Sequence, residues 1–290
     1  MGKPFMIKFL KYLVQAFFVY IFFLFAKFIG LNLSQKLSSK LFRLCGPLIK
    51  SNEIAKKNLS KFSKKINDYE VREILSNMWS NYGMTFVEYI FLNKFKKNKS
   101  HIKIYGKNVL EEVQLSQKPV IFVSGHFANF ELMSMELVKH GINLATIYRP
   151  LNNYFLNPFM EYLRKKYVCK NQIKKGRHGV RQSIEYINMK TNIALMIDQR
   201  LTEGEKIEFF NEKAFTTTLP AQLSLKYSLK IVPIFIERKN NSFFEMTIHN
   251  PIDCSIYKNK VEITKKLNEV LEKMIIKNPN QWIWTHNRWK

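Results

Sequence analysis

From Ile102 onward, short apolar runs alternate with amphipathic helical stripes, and this alternation restricts the fold more than any other feature of the sequence. Strand-like runs fall near 102–105, 119–124, 143–148, 192–197, 231–236 and 243–249, and helical patterns near 127–140, 153–167, 177–190, 217–229 and 258–277. Strands joined through helices return to one sheet in parallel, so the expected class is α/β, a mostly parallel central sheet flanked by helices. The last helix carries the clearest stripe, Ile263, Leu267, Val270, Leu271, Met274 and Ile275, which faces a core. No phosphate-binding glycine loop and no Gly-x-Ser-x-Gly elbow is present, which sets aside nucleotide-dependent and ordinary serine-hydrolase chemistry.

Open sheets of this class place their chemistry beyond the carboxyl ends of the strands. Val120 to Val123 is a buried-strand run interrupted by Ser124 and Gly125, so the strand ends at His126, with Glu131 five residues on. Five residues along a continuous helix turn through roughly 140°, so the two meet only if His126 sits in the turn before the helix. In that arrangement the carboxylate takes one imidazole proton and leaves the other nitrogen as a base. The plainer reading makes His126 a polar helix start and Glu131 a solvated residue complementing the helix dipole. Other strand ends also carry charge: Arg149, held extended by Pro150, and Asp198 after the apolar run 192–197. Arg164 lies in the helix between them, beside Lys165 and Lys166. Singly, Asp198 reads as a turn or cap residue and Arg164 as a solvated charge.

The chain has 290 residues, enough for one large α/β domain with an appendage, and 46% of them are hydrophobic, so a sizeable core is expected. Its formal charge of +25 favours an anionic partner: nucleic acid, phospholipid headgroups, a phosphorylated substrate or an acidic carrier protein. The plainer reading of that excess is that a composition rich in lysine, asparagine and isoleucine partly reflects the base bias of a genome. Cys45, Cys169 and Cys254 are widely spaced, which suggests mostly buried, reduced thiols and neither a disulfide framework nor a metal site. Between Tyr12 and Ala26 only Gln15 is strongly polar, and no small-x-small cleavage site follows, so residues 1–33 read as a hydrophobic membrane anchor. The uninterrupted stretch is shorter than the roughly 20 residues that span a bilayer core, so a helix lying along the leaflet satisfies the same pattern. Residues 34–100 read as a helical region packed on the following domain, with a basic helical stretch from Ser34 to Lys65. A long core helix capped by Asp68 and a polar loop from Asn93 to Ser100 complete that region, and residues 101–290 form the α/β domain.

Taken in order, the motifs resemble those of the lipid A late acyltransferases, the lauroyl/myristoyl transferase family within the wider lysophospholipid acyltransferase group. The resemblance runs from the amino-terminal apolar helix to the last residue. It rests on Gly125-His126-x4-Glu131, Tyr148-Arg149-Pro150, Arg164, Asp198-Gln199, Phe209-Phe210 with Ala214 and Thr216-Thr217-Thr218, Val232-Pro233, and the ending from Gln281 to Lys290. Glutamate at 131, where most glycerolipid acyltransferases carry aspartate, points to the lipid A branch. Asn287 departs from a basic residue often found there. Trp282, Trp284 and Trp289 read as an aromatic cluster that seals the sheet.

The resemblance implies a glycerolipid acyltransferase-like fold at the bacterial inner membrane, with the catalytic domain on the cytoplasmic side. It implies transfer of a fatty acyl group from acyl carrier protein to the hydroxyl of a hydroxyacyl chain on a lipid A precursor, with no cofactor and no metal. His126 is then the general base and Glu131 its orienting carboxylate. The backbone amides of Phe127 and Ala128, or an arginine, would hold the oxyanion. Arg149 and Arg164 suit phosphate or carrier-protein contacts, and Asp198 would hold an arginine or shape the site. The expected partners are acyl carrier protein, the lipid A precursor and an anionic membrane surface, not nucleic acid. Two alternatives stand beside this reading. One is acyl transfer to another membrane acceptor, a glycerolipid or a glycosylated phosphoinositide. The other is a non-enzymatic, membrane-attached basic protein whose binding is salt-sensitive and whose His126 and Glu131 are structural.

Overall fold

The computed structural model describes residues 3–63, 66–200 and 204–289. Met1 and Gly2 of the expected anchor, Lys64 and Lys65 at the end of the basic helical stretch, and Lys290 of the closing motif lie outside the described residues. Among the described residues, five α-helices come first: α1 (Lys3–Ile29), α2 (Leu31–Cys45), α3 (Lys50–Phe62), α4 (Asp68–Glu88) and α5 (Leu92–Lys97). Strands and helices then alternate through β1 (Ile102–Tyr105), α6 (Lys107–Ser116), β2 (Ile121–Ser124), α7 (Glu131–Lys139), β3 (Leu144–Tyr148), α8 (Asn157–Leu163) and β4 (Asn171–Lys174). The remainder is α9 (Arg177–Asn188), β5 (Asn192–Met196), β6 (Glu205–Phe209), β7 (Glu212–Thr216), α10 (Leu219–Tyr227), β8 (Ile231–Asn240), β9 (Phe243–Ile248) and α11 (Lys260–Lys277).

Seven strands form the main sheet in the order β1-β9-β8-β2-β5-β3-β4. Every pairing is parallel except the β8–β9 hairpin, which meets the expectation of a mostly parallel α/β sheet flanked by helices. β2 lies between β8 and β5, and every residue in it is buried, which is why its sequence shows no polar alternation. β2 and β5 run in register with Ser124 opposite Met196. The two chains therefore leave the sheet side by side, and residues two positions beyond each strand arrive at the same place.

Elements with few apolar residues escape the periodicity argument. The separate β6–β7 hairpin alternates charged and apolar residues, and β4 buries only Ile173. α6 follows Gly106, whose φ of 77° turns the chain out of β1 where a Cβ would lie 2.2 Å from the Ile248 carbonyl oxygen. The expected loop at 93–100 is instead mostly α5. α4 is capped by Asn67, not Asp68: its side chain accepts from the Glu70 amide while the Glu70 carboxylate accepts from the Asn67 amide. Cys45 is exposed, whereas Cys169 and Cys254 are buried as expected.

The amino-terminal helices are tied to the end of the chain. Asn58 Nδ2 donates to the carbonyls of Trp284 and His286 at 2.6 and 2.7 Å, and Trp284 packs edge-on to Phe62 and Trp282. α1 touches the body along one stripe, Ala16, Phe23 and Ala26, and the Tyr20 hydroxyl donates to the Phe155 carbonyl at 2.8 Å. Most of the rest of its apolar surface is exposed, with Phe18 63%, Leu24 72% and Phe28 90% accessible. Its 24 residues from Met6 to Ile29 have a mean hydropathy of 2.0, long and apolar enough to cross a membrane.

Candidate active site

Beyond β2 the chain bends sharply before α7 begins at Glu131, four residues later than the periodicity suggests. Gly125 permits the bend, because a Cβ there would lie 2.8 Å from the Phe127 ring and 2.9 Å from Leu271. Ala128 sits at φ 44°, a left-handed conformation that alanine adopts only when its surroundings hold it. Those restraints are specific. Phe127 is fully buried edge-on to Phe235, the Ala128 amide donates to the Gln281 carbonyl at 3.1 Å, and Thr85 Oγ1 donates to the Ala128 carbonyl at 2.9 Å. Asn129 Nδ2 donates at 2.8 Å to Glu88, which forms a buried ion pair with Arg238.

The turn presents His126 to Asp198, not to Glu131. His126 Nδ1 lies 2.7 Å from Asp198 Oδ1, and its backbone amide donates to Oδ2 at 2.7 Å. Trp282 Nε1 also donates to Oδ2, at 2.9 Å, so Trp282 supports the site as well as sealing the sheet. Asp198 is fully buried, which by itself raises a carboxyl, yet the neighbouring His126 charge and hydrogen bonds, with His286, hold it below the usual carboxylate range. The expected pairing used nearness along the chain, whereas the parallel register of β2 and β5 sets the actual one. Asp198 thus orients the imidazole and holds no arginine through these bonds.

Glu131 belongs to a neighbouring cluster. Its Oε1 accepts from the Tyr89 hydroxyl at 2.6 Å and from Arg164 Nε at 2.7 Å, while Arg164 Nη2 donates to the Tyr89 oxygen at 3.0 Å. Burial, with the Glu131 charge working against that of Arg164, pushes the Tyr89 hydroxyl well above the usual phenol range, so it stays a donor. Arg164 opens a π-helical turn, Arg164–Val168, that directs its guanidinium back into the wall, where it also lies over the rings of Tyr89 and Tyr148. Arg164, expected to make phosphate or carrier-protein contacts, is thus held in an ion pair with Glu131 in the cavity lining. Glu131→Gln and Arg164→Met should each lower the rate of the chemical step by roughly 10- to 100-fold, and the double variant should be no worse than the poorer single. Additive losses in that cycle would show that the two do not act as one unit.

The backbone amides proposed for an oxyanion are both occupied: Phe127 N donates to the Gly125 carbonyl at 2.9 Å and Ala128 N to the Gln281 carbonyl at 3.1 Å. Side-chain donors stand nearer the open face of His126. Gln199 Nε2 is 3.2 Å from His126 Nε2 and 3.1 Å from His286 Nε2, and burial above all pushes the His286 imidazole down to about 4. Arg149 is exposed at the rim, as its place after β3 predicts. Lys175 also keeps much of its surface exposed, yet partial desolvation and the Arg149 charge draw its ammonium below the ordinary lysine range. Gln199 and His286 stand in the quoted motifs without an assigned role; Tyr89 and Lys175 carry no sequence signal.

These groups line a cavity of about 880 Å³ that runs from His126 past Phe130 and Met160 to Phe86 and the α1 residues Val19 and Phe23. Its lining thus joins an imidazole fixed by a buried carboxylate to apolar side chains, two of them from α1. An oriented base beside a long apolar recess suits proton abstraction from a hydroxyl on or beside an aliphatic chain.

The family model described as bacterial lipid A biosynthesis acyltransferase matches residues 3–290. Among curated proteins, the chain is similar to a lipid A biosynthesis acyltransferase of Haemophilus influenzae, 24% identical over 247 residues, 82% of this chain and 76% of that protein. It is also similar to two Escherichia coli proteins, the lipid A biosynthesis lauroyltransferase and palmitoleoyltransferase, each at 22% identity. Those matches cover 82% and 88% of this chain and 78% and 84% of the two relatives. Among solved structures, the crystal structure of a 1-acyl-sn-glycerophosphate acyltransferase from Thermotoga maritima aligns with a TM-score of 0.42 at 16% identity, covering 86% of this chain and 99% of that one.

Proposed function

This chain belongs to the bacterial lipid A biosynthesis acyltransferase family, and we propose from that premise that it moves a fatty acyl group from acyl carrier protein to the hydroxyl of a hydroxyacyl chain on a lipid A precursor. The observation that carries the reading is the His126–Asp198 pair opening onto a cavity that continues to the apolar face of α1. With Nδ1–H donated to Asp198, His126 presents the Nε2 lone pair to the cavity. The hydroxyl gives its proton to Nε2 as its oxygen attacks the thioester carbonyl, and the tetrahedral intermediate collapses with loss of the carrier thiolate, which takes the proton back. The alcohol attacks directly, so no acyl-enzyme and no cofactor enters the scheme.

Glu131 acts here as a wall residue with Arg164 and Tyr89. Arg149 and Lys175, at the rim, supply positive charge for the phosphates of the acceptor or for an acidic carrier. Residues 1–33 serve as the membrane anchor, 34–100 as the helical support and 101–290 as the acyltransferase domain, facing the cytoplasmic side of the inner membrane. The +25 charge suits both an anionic leaflet and acyl carrier protein.

The test supplies the full-length protein in detergent with acyl carrier protein thioesters and a phosphorylated, hydroxyacylated lipid A precursor, and reads the product by mass spectrometry. One added acyl group on a hydroxyacyl chain is the expected result. Faster acylation of a glycerolipid or glycosylated phosphoinositide would move the acceptor, and salt-sensitive binding with no product from any acceptor would remove the enzymatic reading.

A further inference from the structure

Acyl transfer from a thioester puts negative charge on the carbonyl oxygen, and the His126, Phe127 and Ala128 amides after β2 are already engaged, which turns attention to the side-chain donors beside the base. We infer that the carboxamide of Gln199 is the oxyanion donor, passed from the base to the substrate oxygen during the reaction, with His286 as the residue that positions it. The inference rests on the acyl-transfer reading above.

Gln199 leaves β5 one residue after Asp198, which brings its side chain across the open face of the imidazole. Because Nδ1–H of His126 is committed to Asp198, its Nε2 is an acceptor, and the glutamine atom facing it at 3.2 Å must be the NH2 group and not the carbonyl. The same nitrogen lies 3.1 Å from His286 Nε2, so each imidazole accepts one of its two N–H bonds. Burial keeps His286 neutral near pH 7, as an acceptor requires. Gln199 is thus held from both sides in the resting site, directly where the reacting carbonyl and hydroxyl must approach.

The handover follows from the proton inventory. Nε2 has a single lone pair, so the substrate hydroxyl displaces the Gln199 N–H as it engages that nitrogen, and its proton then passes to Nε2. In the same step the new C–O bond forms and the carbonyl π pair moves to oxygen, creating an acceptor beside the N–H just released. The second N–H stays on His286 and limits the rotation of the amide. On collapse the C=O bond returns, the C–S bond breaks, the thiolate takes the proton from His126, and Gln199 regains its first partner. Arg149 and Lys175 carry more charge but sit at the exposed rim, where water weakens their contribution.

The experiment measures kcat and KM for Gln199→Ala and for the near-isosteric Gln199→Met in the full-length protein, with His126→Ala alongside. We expect kcat to fall by about 10²–10³-fold in both glutamine variants with KM changed less than about threefold, and His286→Ala to lose a smaller factor of kcat. The acid limb of the pH–rate profile should persist in the glutamine variants, because the base is untouched, while His126→Ala leaves no profile to follow. If both glutamine variants keep kcat within about threefold of the parent, or lose only KM, the donor assignment is overturned. If His126→Ala is also active, the acyl-transfer reading falls with it; if His126→Ala is dead, only the role of Gln199 is lost.

Discussion

Replacement of His126 by alanine is expected to lower acyl transfer about 10⁴-fold, and Asp198→Asn to lose nearly as much, while both proteins stay folded. The aspartate effect follows from its hydrogen bonds. Asp198 accepts from the His126 amide, from His126 Nδ1 and from Trp282 Nε1, and asparagine offers one acceptor oxygen and one donor NH2 in place of two acceptor oxygens. With the oxygen on the amide and the tryptophan, the NH2 group faces Nδ1, which must then accept, so the proton moves to Nε2. An imidazole that carries its proton on Nε2 cannot take one from an alcohol. Single-turnover assays with saturating acyl donor would separate this from weakened binding, and an Asp198→Asn protein with more than about a tenth of the parent rate would remove the orienting role.

A second consequence concerns acid stability. The Asp198 carboxyl titrates below its unfolded value in the fold. Its contribution is therefore complete above the unfolded carboxylate range and is lost as pH falls through and below it. The asparagine variant lacks that contribution, so its unfolding curve should depend less steeply on pH in that acid window.

The residues of this site were legible individually, and their partners were not. His126, Arg149 and Asp198 each end a strand that the apolar runs reveal, so all three could be placed at one edge of the sheet. Which of them meet depends on strand order. β2 and β5 are separated along the chain by β3 and β4, yet they are neighbours in the sheet, and only that adjacency brings Asp198 beneath His126. Glu131 was close to His126 along the chain, but the left-handed turn at Ala128 rotates it toward Arg164 and Tyr89. The same limit hid the β6–β7 hairpin and β4, where charged and amide residues leave too little apolar periodicity to read.

Arg238→Met should be the most destabilising single change outside the site, by roughly 3–5 kcal/mol, because it strands a buried carboxylate. Glu88 is fully buried and Arg238 nearly so, and the two are paired on both carboxylate oxygens, with Arg238 Nη2 to Glu88 Oε2 at 3.0 Å. Arg238 also donates to Asn81 at 3.0 Å and to Thr85 at 3.2 Å, and Glu88 accepts from Gln35 at 2.6 Å and from Asn129 at 2.8 Å. Through Thr85 and Asn129 this pair holds both sides of Ala128, so it anchors the strained turn that aims His126. Adding Glu88→Gln should regain part of the lost stability, since the amide still accepts from Asn129 and no charge is left unpaired. Denaturant unfolding of the single and double variants tests this, and a loss below about 1 kcal/mol for Arg238→Met would show that the pair is dispensable to the fold. In the double variant the turn keeps Asn129 but loses the guanidinium behind Thr85, so activity should recover less completely than stability.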